Sequence, residues 1–382
     1  MQKFDLVIVG GGILGVSHAY HAVSKGLNVL LLEKDNFPVG STVRNFGQIV
    51  PSGMAGRWFA YGVESTEIYK NIQQQLDISV STNGSIYVAS DDQELALIND
   101  LYDHHKTTNY PCQLLSKSDC LTKYPRLKND YTKGGLYFPE EVSVEPNILI
   151  YKMLNYLIEI KKLNYKSDST VISCETQTNG VVITTALKEK YRASKVLICS
   201  GYNFNLLYPE IFKNSGLVVS KLQMLQTVPM TEISMQGNIL TGLTIRRYES
   251  FEAMPSYKNI HTPQHYEELK KWGIHILFKQ ASDGSFIVGD SHEYATADKI
   301  DELGFDTKEM IDELILAEAE RIVDFPVRKI ARKWAGFYAQ HPDEIFEHDV
   351  DKNIHICTGI GGKGMTSSLG FAKISLQERG II

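Results

Sequence analysis

Residues 4–15 read FDLVIVGGGILG, an apolar run that breaks into glycines where a helix should begin. A second apolar run, NVLLLE at residues 28–33, follows that helix. The glycines have the order Gly10-x-Gly12-x-x-Gly15, and Glu33 lies 18 residues after Gly15. Unpaired N–H groups at a helix start attract a pyrophosphate, and an acid ending the next strand can accept hydrogen bonds from a ribose. The unit therefore predicts a dinucleotide site in a Rossmann-type α/β domain, without choosing between NAD and FAD.

A second glycine cluster lies near the end of the chain, where the apolar run IHIC at residues 354–357 leads into GIGGKGMT at residues 359–366. A helix N-terminus directed at a reduced flavin would stabilise its negative charge. A strand-to-helix turn that simply needs glycines accounts for the same pattern, so the cluster alone favours neither interpretation. Its candidate cofactor residues are Gly361, Gly362, Lys363, Gly364, Met365 and Thr366.

Several small or polar residues after the predicted strands could also contact a cofactor. Small residues following the strand at 195–199 allow a close approach to the backbone at the open edge of a sheet. The loop at residues 40–48 offers hydroxyl, amide and guanidinium groups, although Arg44 could also be an exposed arginine without a specific contact. Lys34 suits either a 2′-phosphate contact or a solvated surface position. The remaining cofactor candidates are Gly10, Gly12, Ile13, Leu14, Gly15, Glu33, Lys34, Ser41, Thr42, Arg44, Asn45, Gly47, Val171, Ser200, Gly201 and Gly336.

Composition excludes several classes of protein. The 382 residues are 43% hydrophobic and carry a formal net charge of −6, which argues against a disordered chain and against a general nucleic-acid binder. The five cysteines form no CxxC pair, and the adjacent His104 and His105 would point about 100° apart on a helix, so no metal site is predicted. Without a signal-like leader or a long apolar run, we expect a cytoplasmic protein with no membrane span.

The order of predicted elements indicates two interleaved domains. We expect an α/β fold in which a Rossmann-type cofactor domain carries a discontinuous α+β substrate domain, built on a mixed or antiparallel sheet. Strands at 170–173, 181–185 and 195–199 are interpreted as a return to βαβ character around a helix at 146–162. The predicted cofactor-domain segments are 1–83, 140–215 and 330–382, and the predicted substrate-domain segments are 84–139 and 216–329.

Basic residues of the predicted substrate domain are the candidates for binding a substrate. Residues 245–248 are interpreted as a strand, so only one of Arg246 and Arg247 should face a pocket. His275 on a predicted strand at 274–279 and His292 after Gly289-Asp290 are further candidates, although a single histidine on a strand is more often structural. The full set of candidate catalytic residues is Arg44, Arg246, Arg247, His275, His292 and Lys279.

Taken together, these motifs resemble the D-amino-acid-oxidase-like FAD oxidoreductases, a group that includes sarcosine oxidase and glycine oxidase. The likeness runs in order along essentially the whole chain. Four stretches are similar to a subgroup proposed to oxidise aminophosphonates related to 2-aminoethylphosphonate: VRNFG at 43–47, RRY at 246–248, GDSHEY at 289–294 and GKGMT at 362–366.

The resemblance implies an extended FAD, with the adenosine near Glu33 and the pyrophosphate on Gly10–Gly15. It also implies hydride transfer from the amine-bearing carbon of a small anionic amine to flavin N5, followed by hydrolysis of the imine. Molecular oxygen or another acceptor would take the electrons, and Lys279 or Lys363 could act near the flavin in that step. Some relatives attach the flavin to a late cysteine, which residues 332–338 lack, so the FAD should be non-covalent.

Three alternatives remain open at this stage. The chain could oxidise N-methyl or D-amino acids, or it could be a flavin subunit that donates electrons to a protein partner. A tRNA-modifying relative is the third alternative, and the acidic charge balance counts against it.

Overall fold

The protein, described as a computed structural model over all 382 residues, contains two large sheets. The first sheet has eight strands: Lys3–Val9, Val29–Leu32, Asn164–Lys166, Val171–Gln177, Gly180–Thr185, Lys190–Ile198, Phe346–Asp349 and Ile354–Thr358. Its central strand, Lys3–Val9, pairs in parallel with Val29–Leu32 and Lys190–Ile198, and Ile354–Thr358 extends the parallel set. Apolar strands buried on both faces account for this arrangement. The predicted Rossmann-type sheet is confirmed.

One part of the first sheet differs from the sequence interpretation. Val171–Gln177, Gly180–Thr185 and Lys190–Ile198 are consecutive antiparallel partners, so the predicted βαβ character of this region is wrong. The connection at residues 178–179 is too short for a crossover helix, which a parallel pair requires. The preceding helix begins at Pro146 as predicted and ends at Glu159 rather than Lys162.

The second sheet is mixed, as the sequence predicts. Its nine strands are Ser85–Ala89, Gln113–Ser116, Gly134–Phe138, Val218–Thr227, Asn238–Leu240, Leu277–Gln280, Phe286–Gly289, Glu293–Thr296 and Ile330–Gln340. All their pairings are antiparallel except that of Asn238–Leu240 with Ser85–Ala89. Ile330–Gln340 pairs with Val218–Thr227 in this sheet, although the predicted segment 330–382 belongs to the cofactor domain. A short ladder joins Gln48–Ile49 to Val142–Ser143.

Helices cover the first sheet and bring the two ends of the chain together. The helices are Ile13–Ser24, Gly56–Gln73, Asp92–Thr108, Lys117–Lys123, Pro146–Glu159, Pro209–Lys213, Gly242–Ile245, Glu249–Glu252, Glu267–Lys271, Glu309–Ile322 and Gly364–Glu378. The first and last of these pack in one apolar core that includes Leu6, Val16 and Leu369. None of the helices is both long and apolar enough to cross a membrane.

Candidate active site

A cavity of about 800 Å³ is lined by residues from both sheets. The parallel strands of the first sheet end at its wall, where Val9, Leu32 and Thr358 contribute to the lining. Open α/β sheets bind ligands at this carboxyl edge, and the volume is typical of a small-molecule or cofactor site. The structure thus brings the glycine clusters from both ends of the chain to one cavity.

The backbone of the first glycine turn leaves no room for side chains. Gly10 has a φ of +105°, and a Cβ there would lie 2.3 Å from the Cys199 carbonyl oxygen. A Cβ on Gly15 would lie 1.9 Å from the Gly10 carbonyl oxygen. Gly15 does not line the cavity. Its lack of a side chain allows the first turn of the helix to pack closely against the glycine turn.

Two side chains hold the turn in shape. Glu33 accepts hydrogen bonds from Gly11 N–H at 2.8 Å and Asp35 N–H at 3.0 Å. The Thr42 hydroxyl accepts one from Ile13 N–H at 2.9 Å. These contacts leave the N–H groups of Gly12 and Leu14 without a partner in the chain, which is the arrangement that binds an anion at a helix N-terminus.

Other predicted cofactor residues line the same cavity. Ser200 contributes a buried hydroxyl oxygen that has no hydrogen-bond partner, and such orphaned polar atoms normally face a ligand or water. Ser41 donates a hydrogen bond to the Phe337 carbonyl, and Lys34 pairs with Asp35 at the surface. Also in the lining are Gly47, Asn45, Val171, Gly201, Gly361, Gly362, Gly364, Met365 and Thr366.

The C-terminal glycines lead directly into the helix Gly364–Glu378. Gly361 has a φ of +61°, and an added Cβ on Gly362 would meet no protein atom within 4 Å. Lys363 lies beside them but pairs with Glu249 at 3.0 Å. At the C-terminal glycine cluster the cavity therefore exposes backbone groups, whereas the Lys363 ammonium is engaged in an ion pair.

Arg247 and a His–Asp–His group line another part of the cavity. Arg247 donates hydrogen bonds to the Gly273 carbonyl at 2.7 Å and to the Tyr294 hydroxyl at 3.1 Å. Asp290 lies 2.7 Å from His275, measured from Oδ1 to Nε2. Burial raises the pKa of Asp290, but the nearby histidines outweigh it and hold that pKa below its usual value. Burial lowers the pKa of His292 to about 3, so this ring is neutral near pH 7.

Arg44 reaches the cavity from the loop after the second strand. Its Nε donates to the Val39 carbonyl at 3.0 Å and its Nη1 to the Ala335 carbonyl at 3.5 Å. Neither Arg44 nor Arg247 has a carboxylate within 4.0 Å. Both guanidinium groups therefore donate their hydrogen bonds to neutral groups, and Asp290 interacts with the charge of Arg247 from more than 4.0 Å away.

Arg246 does not line the cavity, which corrects its prediction as a substrate ligand. It follows the short helix Gly242–Ile245 in a turn, so the interpretation of residues 245–248 as a strand is wrong. Its side chain forms ion pairs of 2.5 Å with both Asp91 and Glu94. Only one of the two arginines faces the cavity, as predicted, but the turn rather than strand alternation separates them.

Lys279 and Gly336 also lie outside the cavity lining. The Lys279 ammonium is buried, donates to the Val144 carbonyl and pairs with Glu145 at 3.1 Å. Lys279 therefore does not reach the cavity in this structure. A Cβ on Gly336 would lie 3.0 Å from the Arg44 carbonyl oxygen, so this glycine acts through close packing against the Arg44 loop.

Three of the cavity residues that the sequence interpretation missed lie beside its predicted arginines and histidines. Tyr248 and Tyr338 line the cavity, and burial raises the pKa of each well above its usual value, so both phenols stay protonated donors. Asp290 is the third, and its position two residues before His292 was a signal that could have found it. Tyr338 had no such local signal, because only strand pairing brings it near Arg44, whose carbonyl it approaches at 3.4 Å.

We expect Gly15→Ala to lose bound dinucleotide and to destabilise the fold by about 3 kcal/mol, the upper end for overpacking. The methyl would strike the Gly10 carbonyl, and a backbone contact cannot be relieved by a rotamer change. Gly40→Ala is the matched control, because a Cβ there meets no protein atom within 4 Å. Cofactor absorbance and thermal melting of both variants check the prediction, and equal cofactor content would contradict it.

Comparison with known proteins agrees with this geometry. A family profile described as FAD dependent oxidoreductase matches residues 5–377. The chain is 24% identical over 377 residues to a glycerol 3-phosphate dehydrogenase of Caloramator mitchellensis, covering 96% of this chain and 71% of that protein. It is 22% identical over 365 residues to an opine oxidase subunit of Rhizobium meliloti, covering 91% and 85%. The fold matches the crystal structure of glycine oxidase from Geobacillus kaustophilus with a TM-score of 0.78 and 17% identity, covering 99% and 95%.

Proposed function

The chain belongs to the FAD-dependent oxidoreductase family, and from that premise we propose that it oxidises a small anionic amine of the aminophosphonate class, related to 2-aminoethylphosphonate. The observation that carries this proposal is the pair of cavity arginines, Arg44 and Arg247, that have no acidic partner. A phosphonate dianion needs such donors, and guanidinium groups match its oxygens in a bidentate manner.

The residues present fit FAD. Open N–H groups of Gly12 and Leu14, the cavity-lining Glu33 and the unpartnered Ser200 hydroxyl would hold the pyrophosphate and ribose end. When bound, FAD supplies a two-electron acceptor for the hydride of the amine-bearing carbon, and water hydrolyses the resulting imine to an aldehyde and ammonia. The protein's own contribution is to orient that carbon and to exclude water.

Similarity to a glycerol 3-phosphate dehydrogenase gives the proposal independent support. The substrate in that protein's name carries a phosphate, which has the charge and the oxygen geometry of a phosphonate. A cavity that binds the phosphorus-containing head group would thereby fix the position of the carbon that is oxidised, whether that carbon bears an amine or a hydroxyl group. Arg247, beside Tyr248 and the His–Asp–His group, is placed to do so.

We propose that the two histidines do not donate to the head group, which revises one part of the sequence interpretation. The Nδ1–H of His292 is directed at the Gly273 carbonyl at 3.0 Å. His275 Nδ1 lies 3.3 Å from the Thr244 hydroxyl oxygen. The His292 ring is neutral, so its remaining nitrogen then carries a lone pair, which repels an anion. The arginines are left as the cationic groups for the substrate.

The test is anaerobic loss of the flavin's visible absorbance against a panel of reductants. The panel contains 2-aminoethylphosphonate, its N-methyl and 1-hydroxy forms, sarcosine, glycine, D-amino acids and glycerol 3-phosphate. Reduction by an aminophosphonate in preference to the carboxylates supports the proposal. Reduction by sarcosine, glycine or D-amino acids alone would indicate an N-methyl or D-amino-acid oxidase instead of the proposed enzyme. Reduction by glycerol 3-phosphate alone would indicate an alcohol oxidoreductase.

A second candidate concerns the electron acceptor. Similarity to a protein named as one subunit of an opine oxidase favours transfer of electrons to a protein partner instead of oxygen. Reoxidation of the reduced protein by dissolved oxygen, followed by stopped-flow absorbance, separates the two. Fast reoxidation supports an oxidase; slow reoxidation in oxygen with fast reoxidation by an artificial dye supports transfer to a protein partner.

We predict that acid precipitation releases yellow FAD into the supernatant. Among the five cysteines, only Cys199 lines the cavity, and it lies beside Gly10 at the turn assigned to the pyrophosphate. No cysteine is thus placed to form a covalent bond to the flavin ring. Absorbance of the pellet and supernatant checks this, and colour retained in the pellet would show a covalent link.

A further inference from the structure

His275, Asp290 and His292 bring their side-chain ligand atoms to one point of the cavity wall. One ligand atom from each residue lies within 4.8 Å of the others. All three side chains are largely buried, and all three line the cavity. Buried groups of this kind normally have a hydrogen-bond, ionic or metal partner, because an unpaired charge or lone pair away from water is costly.

The hydrogen bonds of His275 determine which ring nitrogen is free. Thr241, and not Thr244, donates to the Ile276 carbonyl, at 2.7 Å. His275 Nδ1 lies 3.3 Å from the Thr244 oxygen, which makes this hydroxyl the partner of Nδ1. With Nδ1 engaged there, Nε2 is the nitrogen that faces Asp290, at 2.7 Å from Oδ1.

If the Thr244 hydroxyl accepts a hydrogen bond from Nδ1–H of a neutral His275 ring, Nε2 presents a lone pair to Asp290. A lone pair and a carboxylate oxygen at 2.7 Å repel each other unless a cation lies between them. Asp290 Oδ1 is buried and has no hydrogen-bond partner of good geometry in the protein, although His275 Nε2 lies 2.7 Å from it. A metal ion off the line between the two atoms satisfies both lone pairs, since each then points at the ion rather than at the other atom.

His292 completes the group. Its Nδ1–H donates to the Gly273 carbonyl at 3.0 Å. Histidines that bind metals usually donate the other ring N–H to a backbone carbonyl or carboxylate, which fixes the tautomer. His292 therefore has the outer hydrogen bond of a metal ligand, and His275 Nδ1 has the Thr244 hydroxyl as its neighbour on the side away from Asp290.

We propose that His275, Asp290 and His292 bind a divalent transition-metal ion of the Zn²⁺ or Mn²⁺ type, with open coordination positions toward the cavity. Two imidazoles and one carboxylate are a common donor set for such ions. Asp290 and His292 are two residues apart, and His275 comes from an earlier segment of the chain.

The ion would bind an oxygen of the substrate's anionic head, a role that rests on the proposed function. With Arg247 nearby, the ion and the guanidinium outweigh the single charge of Asp290. A doubly charged phosphonate neutralises that excess better than a carboxylate does. Metal binding itself requires no substrate, so the metal site and the proposed substrate can be tested, and can fail, independently.

The test measures metal content of the FAD-bound protein after treatment with a chelator and dialysis against Zn²⁺. We expect about one Zn²⁺ per chain for the wild type, and at least a hundredfold weaker binding for Asp290→Asn and His292→Gln. His104→Gln, a change at an exposed helix position, should bind as the wild type does.

Retained flavin and an unchanged melting temperature show that each variant is folded. If Asp290→Asn does not fold, His292→Gln decides the question by the same measurement. A wild type that binds no Zn²⁺ or Mn²⁺, or a folded variant that binds as tightly as the wild type, would overturn the proposal. Metal binding without any effect of Zn²⁺ on the KM for the aminophosphonate would keep the site and remove its role in substrate binding.

Discussion

Replacing Arg246 with alanine should lower the free energy of unfolding by about 3–5 kcal/mol, the cost of leaving one partner of a buried ion pair alone. The Glu94 side chain is fully buried, and Arg246 Nε lies 2.5 Å from it. Asp91 holds the other side of the guanidinium. Without Arg246, Glu94 must stay charged in an apolar setting or take up a proton, and both options destabilise the folded state at neutral pH.

The destabilisation should depend on pH in a defined direction. Burial raises the pKa of Glu94, while the charge of Arg246 opposes that rise. The alanine variant should therefore have a still higher Glu94 pKa when folded than when unfolded. A group of this kind binds a proton on folding, so stability is retained at acid pH and lost as pH rises through the folded-state pKa. The difference in melting temperature between variant and wild type should shrink from pH 7 towards pH 5.

The double variant Arg246→Met with Glu94→Gln is the control. It removes both charges at similar volume, so it should recover much of the lost stability and most of the pH dependence. Asp91 and Glu318, the other acids beside Glu94, are unchanged in it. A single Arg246→Ala variant that is stable but has a raised KM would contradict this assignment and return Arg246 to the substrate site.

The glycine clusters were predictable because their constraint is local. Gly15 is required by a contact within the strand-turn-helix unit, and Glu33 closes the same unit, whereas Gly10 also lies against the distant Cys199 carbonyl. The spacing of these residues in the sequence is therefore enough to predict the geometry of the turn. The same holds for Gly361, which adopts a positive φ immediately before the last helix. Family membership and the FAD cofactor follow from these stretches.

The substrate end was predicted less well, because its geometry is set by packing between distant segments. Arg246 and Arg247 are neighbours in sequence, yet Glu94 on another helix decides which of them is structural. Lys279 was expected near the flavin, but Glu145 and the Val144 carbonyl hold it inside the protein. No periodic pattern in residues 245–279 contains that information.

Replacing Arg247 with alanine should raise the KM for an anionic amine about 10- to 150-fold, which corresponds to the loss of about 1.5–3 kcal/mol for a hydrogen bond to a charged group. Arg247 has no acidic partner, so its charge is available to the substrate. Its present contacts, the Gly273 carbonyl and the Tyr294 hydroxyl, are neutral groups that orient the guanidinium without cancelling it. The fold should lose little stability, in contrast to Arg246→Ala.

Steady-state kinetics with paired substrates checks this prediction. An amine that lacks the phosphonate head, such as ethylamine, should show almost the same KM with wild type and Arg247→Ala, because it never used the guanidinium. Arg247→Lys should lie between the two for the anionic amine, since it keeps a charge but loses the bidentate geometry. If the KM for charged and uncharged amines rises equally, Arg247 shapes the cavity instead of binding the anion. If the guanidinium mainly binds the substrate, the catalytic rate at saturation should fall less than the KM rises.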